Sequence, residues 1–188
     1  MIRIGILGDI GSGKSYVANE FGYPVFNADK EVSELYKKDI TIYNKLKKAL
    51  PKYIHAFPID KKEISNAILS NKNNLKKIIK IVHLEIIKKL NIFLKKNKKK
   101  KFVILDIPIL LENKINQKKD ILIFIQSKKD DICKRLKKRD NFNQKLLNLF
   151  KSIQYSLNYK KKKSKFIIKN NFTKKAVKKE IQKILKKI

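Results

Sequence analysis

Apolar positions change period along this chain. Ile2-Arg3-Ile4-Gly5-Ile6-Leu7 is a short, largely apolar run with the length of a buried strand. Four more such runs follow: Pro24 to Phe26, Phe102 to Asp106, Ile121 to Ile125, and Phe166 to Ile168. Between them, apolar residues recur every three or four positions, as on one face of a helix. The helical stretches are Ser15 to Phe21, a helix opening over Lys30 to Tyr36, Ile42 to Leu50, Ile64 to Leu69, Leu75 to Leu94, Asp130 to Lys138, Gln144 to Tyr155 and Lys174 to Ile188. The longest aligns Ile78, Ile79, Val82, Ile86, Ile87, Leu90 and Leu94. Strands separated by helices predict an α/β fold whose parallel sheet is covered on both faces. In such sheets ligands bind beyond the carboxyl ends of the strands. The chemistry is therefore expected just after Leu7, Phe26, Asp106, Ile125 and Ile168.

Composition adjusts this picture in two places. A chain of 188 residues suits a single core. Its formal net charge of +32 invites a nucleic-acid partner. However, only three of the 48 basic residues are arginine (Arg3, Arg135, Arg139), which leaves 45 lysines. Asn and Ile abound while Gly, Pro and Trp are scarce, the signature of a codon pool rich in A and T. The lysines spread along most helices instead of forming one stripe, so no dedicated nucleic-acid surface is expected. The charge would still steer anionic substrates inward at low salt. The single Cys133 makes no internal disulfide possible, and no apolar run approaches a membrane span. The chain enters a strand at once, so no signal peptide is expected. A cytoplasmic protein is the expectation.

The sharpest chemistry lies after the first strand. All five glycines fall within the first 22 residues, three of them in Gly8-Asp9-Ile10-Gly11-Ser12-Gly13-Lys14-Ser15. This fits the phosphate-binding loop pattern G-x-x-x-x-G-K-[ST], with the required strand before it and helix after it. Successive backbone N–H groups form an anion nest there, and the helix dipole adds to it. Lys14 would reach the β- and γ-phosphates and Ser15 would hold Mg²⁺. Gly8, Gly11, Ser12, Gly13, Lys14, Ser15 and Tyr16 are the nucleotide-binding candidates, with ATP as co-substrate.

Three further places suit phosphoryl transfer. Asp29, after the second strand, is a candidate to orient an acceptor hydroxyl and take its proton, or alternatively to cap the helix at Lys30. Asp106 ends an apolar run in the manner of a Walker B carboxylate serving Mg²⁺, or alternatively begins a turn at Pro108. Glu112, six residues on, would contact the acceptor or brace the loop. Arg135 and Arg139, four apart, would share one helix face and clamp the transferring phosphoryl group, where lysine cannot give the same planar grip. A salt-bridged surface pair is the other reading. His55 and His83 have no ligating neighbours at metal spacing, so neither is expected to bind a metal.

Together these residues resemble the dephospho-coenzyme A kinase family. Ile4 to Ser15 resembles its "IGLTGGIGSGKS", and Val25-Phe26-Asn27-Ala28-Asp29 its "VIDAD", whose last Asp is the family's presumed base. Asp60-Lys61 resembles an Asp-Arg pair that leads to a family histidine, here His83. Asp106-Ile107-Pro108-Ile109-Leu110-Leu111-Glu112 is similar to "DVPLLFE", and Arg135 to Asp140 to a lid "RLxxRD". Gln154 and Lys160 match a lid "Q-x5-K", and Phe166 to Asn170 resembles "FVIDN". Asp9, Asn27 and Leu84 depart from the family's Gly, Asp and Pro, and its Gly near Asn171 is missing, where the family contacts adenine.

The resemblance implies a three-layer α/β/α P-loop kinase core with strand order 2-3-1-4-5. The core would comprise residues 1–29, 95–133 and 161–188, with an acceptor-binding region at 30–94 and a lid at 134–160. The implied reaction moves the ATP γ-phosphate to the ribose 3′-hydroxyl of dephospho-coenzyme A. Asp29, His83, Pro108 and Glu112 would bind that substrate, Ser15 and Asp106 would serve Mg²⁺, and Lys14, Arg135 and Arg139 would act in catalysis with Asp29. A monomer or small homo-oligomer is expected. Another small-molecule or nucleoside monophosphate kinase, and a basic nucleic-acid-binding protein, are the rival readings.

Overall fold

The computed structural model describes residues 1–139 and 142–188; Asp140, the last residue of the lid-like motif, and Asn141 lie outside them. All five expected strands form: β1 (Ile2–Gly8), β2 (Val25–Asn27), β3 (Phe102–Asp106), β4 (Ile121–Gln126) and β5 (Phe166–Lys169). They pair in parallel in the order β2-β3-β1-β4-β5, the order the family resemblance implied. The helices are α1 (Lys14–Glu20), α2 (Ala28–Lys38), α3 (Ile40–Ala49), α4 (Lys61–Ser70), α5 (Lys72–Lys96), α6 (Lys129–Lys137), α7 (Gln144–Ser152), α8 (Leu157–Lys163) and α9 (Lys174–Leu185).

Three helix expectations need correction. The helix expected over Gln144 to Tyr155 forms but ends early, with α7 stopping at Ser152, and α8 follows where no element was expected. Ser156 opens α8 by accepting a hydrogen bond from the Tyr159 N–H at 3.2 Å, a side-chain cap that offsets the missing apolar stripe. Helix α6 ends at Lys137, so Arg139 lies beyond it and does not share a helix face with Arg135. There the chain tightens, with the Arg139 N–H donating three residues back to the Leu136 carbonyl. Finally, α2 begins at Ala28, which puts Asp29 in its first turn and not at its cap.

The chain divides into two compact units. The first comprises Met1–Asn27, Asn97–Asn143 and Lys151–Ile188. Its sheet alternates as a pleated strand must. Ile4, Ile6, Phe102, Ile104, Ile123, Ile125 and Ile168 pack on one side against Val17, Ala18 and Phe21 of α1 and Val177, Ile181 and Ile184 of α9. Burying each of these side chains larger than alanine contributes about 1.5–3 kcal/mol. On the other side α8 packs on β1 and β4. Gly5 faces that side, where a Cβ would come within 2.6 Å of Leu110 and 2.8 Å of Leu122.

The second unit comprises Ala28–Lys96 and Gln144–Phe150. Its axis is α5, whose buried Leu75, Ile78, Val82, Ile86 and Leu90 recur at helical spacing. Helices α2, α3 and α4 pack against it and bury Leu35, Tyr36, Ile42, Leu46, Ile64 and Ile68. Asp39 caps α3 by accepting from Thr41 and Ile42 N–H at 2.9 and 3.0 Å. Asp60 caps α4 through the Lys62 N–H at 2.8 Å. The buried Asn74 amide donates to the Ala67 carbonyl at 2.8 Å and ties α5 to α4. No helix among the described residues is long and apolar enough to cross a membrane.

Candidate active site

The loop joining β1 to α1 curls back on itself because its glycines permit it. Gly13 has φ 86°, in the left-handed region, and a Cβ there would collide with the Asn170 amide. At Gly8 a Cβ would lie 2.8 Å from both the Ile125 carbonyl and Ser12 Oγ. The loop is held from two neighbouring strands. Ser127, just past β4, and Asn170, just past β5, each donate to the Ser12 carbonyl at 2.9 Å. Sequence reasoning assigned neither residue a role, although both follow strand ends where chemistry was expected. Lys14 Nζ donates to the Asp9 carbonyl at 2.8 Å and to that of Gly8 at 3.3 Å. Tyr16 turns its ring onto the core beneath α1.

Asp106 stands at the carboxyl end of β3, 3% exposed. It shares a side-chain hydrogen bond with Ser15. Asn27, opposite it in register at the end of β2, donates to its Oδ2 at 2.6 Å. Burial pushes the Asp106 carboxyl above the ordinary carboxylate range, outweighing the opposing pull of Ser15, Lys14 and Asn27. The departure at Asn27 thus has a local effect: an amide can donate to Asp106, whereas a second carboxylate would repel it.

The hard oxygens of Ser15 and Asp106 suit Mg²⁺, which keeps several waters and takes one or two protein carboxylates. No cluster of three or more His, Cys, Asp or Glu capable of holding a metal occurs among the described residues.

The segment after β3 turns through Pro108, half-buried, to Glu112. Glu112 Oε1 accepts from the Tyr155 N–H at 2.8 Å and pairs with Lys160 Nζ at 3.0 Å. Lys160, only 1% exposed, also donates to Gln154 Oε1 at 2.7 Å. The two residues of the lid-like "Q-x5-K" therefore bond each other, and Lys160 joins them to Glu112 in a brace. Glu112 Oε2 is buried with no hydrogen-bond partner.

Arg135 is exposed and stacks its guanidinium 4.2 Å from the centroid of the Phe172 ring. Phe172 itself has φ 63°, left-handed backbone that a bulky residue adopts only under strain. The Asn170 side chain accepts from the Phe172 N–H at 2.9 Å and steadies this turn, close to where the family's glycine is missing. Arg139 is exposed past the end of α6.

The second unit carries the remaining candidates. Asp29 lies in the first turn of α2, at the positive end of its dipole. His83 is half-buried on α5, next to the 65% exposed Leu84. His55 Nδ1 pairs with Glu63 at 3.0 Å on the surface.

Comparison with known proteins agrees with this geometry. A family model described as dephospho-CoA kinase matches residues 2–176. The dephospho-CoA kinase of Wolbachia pipientis wMel is 35% identical over 187 residues, covering 97% of this chain and 95% of that protein. In fold, the chain is similar to the crystal structure of TT1252 from Thermus thermophilus, with TM-score 0.76, 22% identity and coverage of 100% and 97%. It is also similar to the dephospho-CoA kinase from Campylobacter jejuni, with TM-score 0.63, 22% identity and coverage of 98% and 96%.

Proposed function

The chain belongs to the dephospho-CoA kinase family, a family of ATP-dependent phosphotransferases, and from that premise we propose that it transfers the ATP γ-phosphate to the ribose 3′-hydroxyl of dephospho-CoA, giving CoA and ADP. The observation that carries this reading is the meeting of Lys14, Ser15, Asn27 and Asp106 at the carboxyl ends of β1, β2 and β3. In our reading Gly8, Gly11, Ser12, Gly13 and Tyr16 present backbone N–H groups to the phosphates, and Lys14 swings from the loop carbonyls onto them. Ser15 and Asp106 would hold Mg²⁺, which would supply positive charge against the developing negative charge of the phosphates.

We assign the acceptor-binding region to residues 30–94 and the lid to residues 134–160. Asp29 orients the 3′-hydroxyl and accepts its proton. His83 and Pro108 line the acceptor, and Glu112 acts through the brace. Arg135 and Arg139 stabilise the charge on the phosphoryl group once the lid closes and excludes water. We place this activity in the cytoplasm, in a monomer or small homo-oligomer.

The test is an acceptor panel with ATP and Mg²⁺. Dephospho-CoA should be phosphorylated; activity on shikimate or a nucleoside monophosphate, with none on dephospho-CoA, defeats the proposal. Asp29→Asn should lower kcat roughly 10²–10⁴-fold with ATP affinity retained. Wild-type turnover in that variant would remove Asp29 from the mechanism.

A further inference from the structure

Asp9 puts a carboxylate inside a loop built for anions. Its Oδ1 accepts the Ile10 N–H at 2.7 Å, which takes up one loop donor and fixes the carboxylate's direction. Its Oδ2 lies 3.7 Å from Nζ of Lys151, in the last turn of α7. The Asp9 side chain is 21% exposed and that of Lys151 is 47% exposed. A carboxylate held here repels any polyphosphate that enters the loop, and a cation beside it offsets part of that repulsion.

We infer that Lys151 is a positioning residue for ATP: it neutralises Asp9, so that the loop accepts a triphosphate despite carrying its own negative charge. The inference rests on the reading of this loop as the ATP site. Lys151 acts through Asp9, so its value should vanish when Asp9 is removed.

A double-mutant cycle on the full chain tests this, with ATP binding followed by titration calorimetry and turnover measured alongside. Lys151→Ala should raise the ATP Kd about threefold to fivefold, the scale of a partly exposed ion pair, with the change carried in KM for ATP and not in kcat. Lys151→Arg should restore binding. In an Asp9→Gly background, Lys151→Ala should shift Kd by less than about 1.5-fold. An equal rise in both backgrounds overturns the inference, because Lys151 would then act on the ligand directly; no rise in either also overturns it. Lys14→Met separates the two levels. If that variant still binds ATP normally, the loop reading itself fails and the inference falls with it. If it loses binding and the cycle is additive, only the inference fails.

Discussion

Burial makes ionising Asp106 costly to the folded chain. Burial raises its folded pKa above the unfolded value, so the folded state holds the proton more tightly. The group's contribution to stability is fully present below the unfolded carboxylate range and is lost as pH rises through the raised value. At neutral pH the native protein therefore bears a penalty that Asp106→Asn escapes. That variant should melt higher without nucleotide and lose turnover roughly 10²–10³-fold. A melting curve and a coupled assay check both. An Asn variant that melts lower would show that the carboxylate's hydrogen bonds outweigh its desolvation. The loop and Asp106 were legible because each is a motif with its own local mechanics. Arginine scarcity was a weaker guide. Arg3 is also one of the three arginines, yet it pairs with Asp120 at 3.0 Å and donates to the Ile115 carbonyl at 3.0 Å, with side-chain exposures of 10% and 2% for the ion pair. A planar fork serves a buried structural ion pair as well as a phosphate. Lys160 was visible only through the family resemblance, since lysine composition alone argues for solvent.

Among the elements, the strands were the most legible part of the fold, each within a residue of its expected ends. Buried parallel strands read as near-continuous apolar runs, and this chain interrupts such runs with lysine-rich helices. Helix α8 shows where that signal fails. Its sequence, Leu157 to Lys163, carries four consecutive lysines from Lys160 on, and its start is set by a single hydroxyl. Ser156→Ala should therefore destabilise the protein by about 1 kcal/mol, read as a lower urea midpoint with unchanged slope. Faster hydrogen exchange at the Tyr159 amide should accompany it. A variant with the wild-type midpoint would mean that packing on β1 and β4 carries α8 without its cap.

The whole molecule carries 48 basic against 16 acidic side chains. Such an excess repels itself in the compact state, and salt screens it. Raising ionic strength from about 20 mM to about 300 mM should raise the melting temperature of the nucleotide-free protein, and a fall would show that its ion pairs matter more than the excess. The same screening should raise KM for the anionic substrates by slowing their approach. Within this crowd of 45 lysines, Lys160 alone is buried among the described residues. An amine-acylating reagent would label the surface within minutes and leave that one nitrogen until α8 parts from the sheet. Mass-spectrometric mapping of its modification would then time the opening of the α8 brace, with the other lysines as the internal record of exposure.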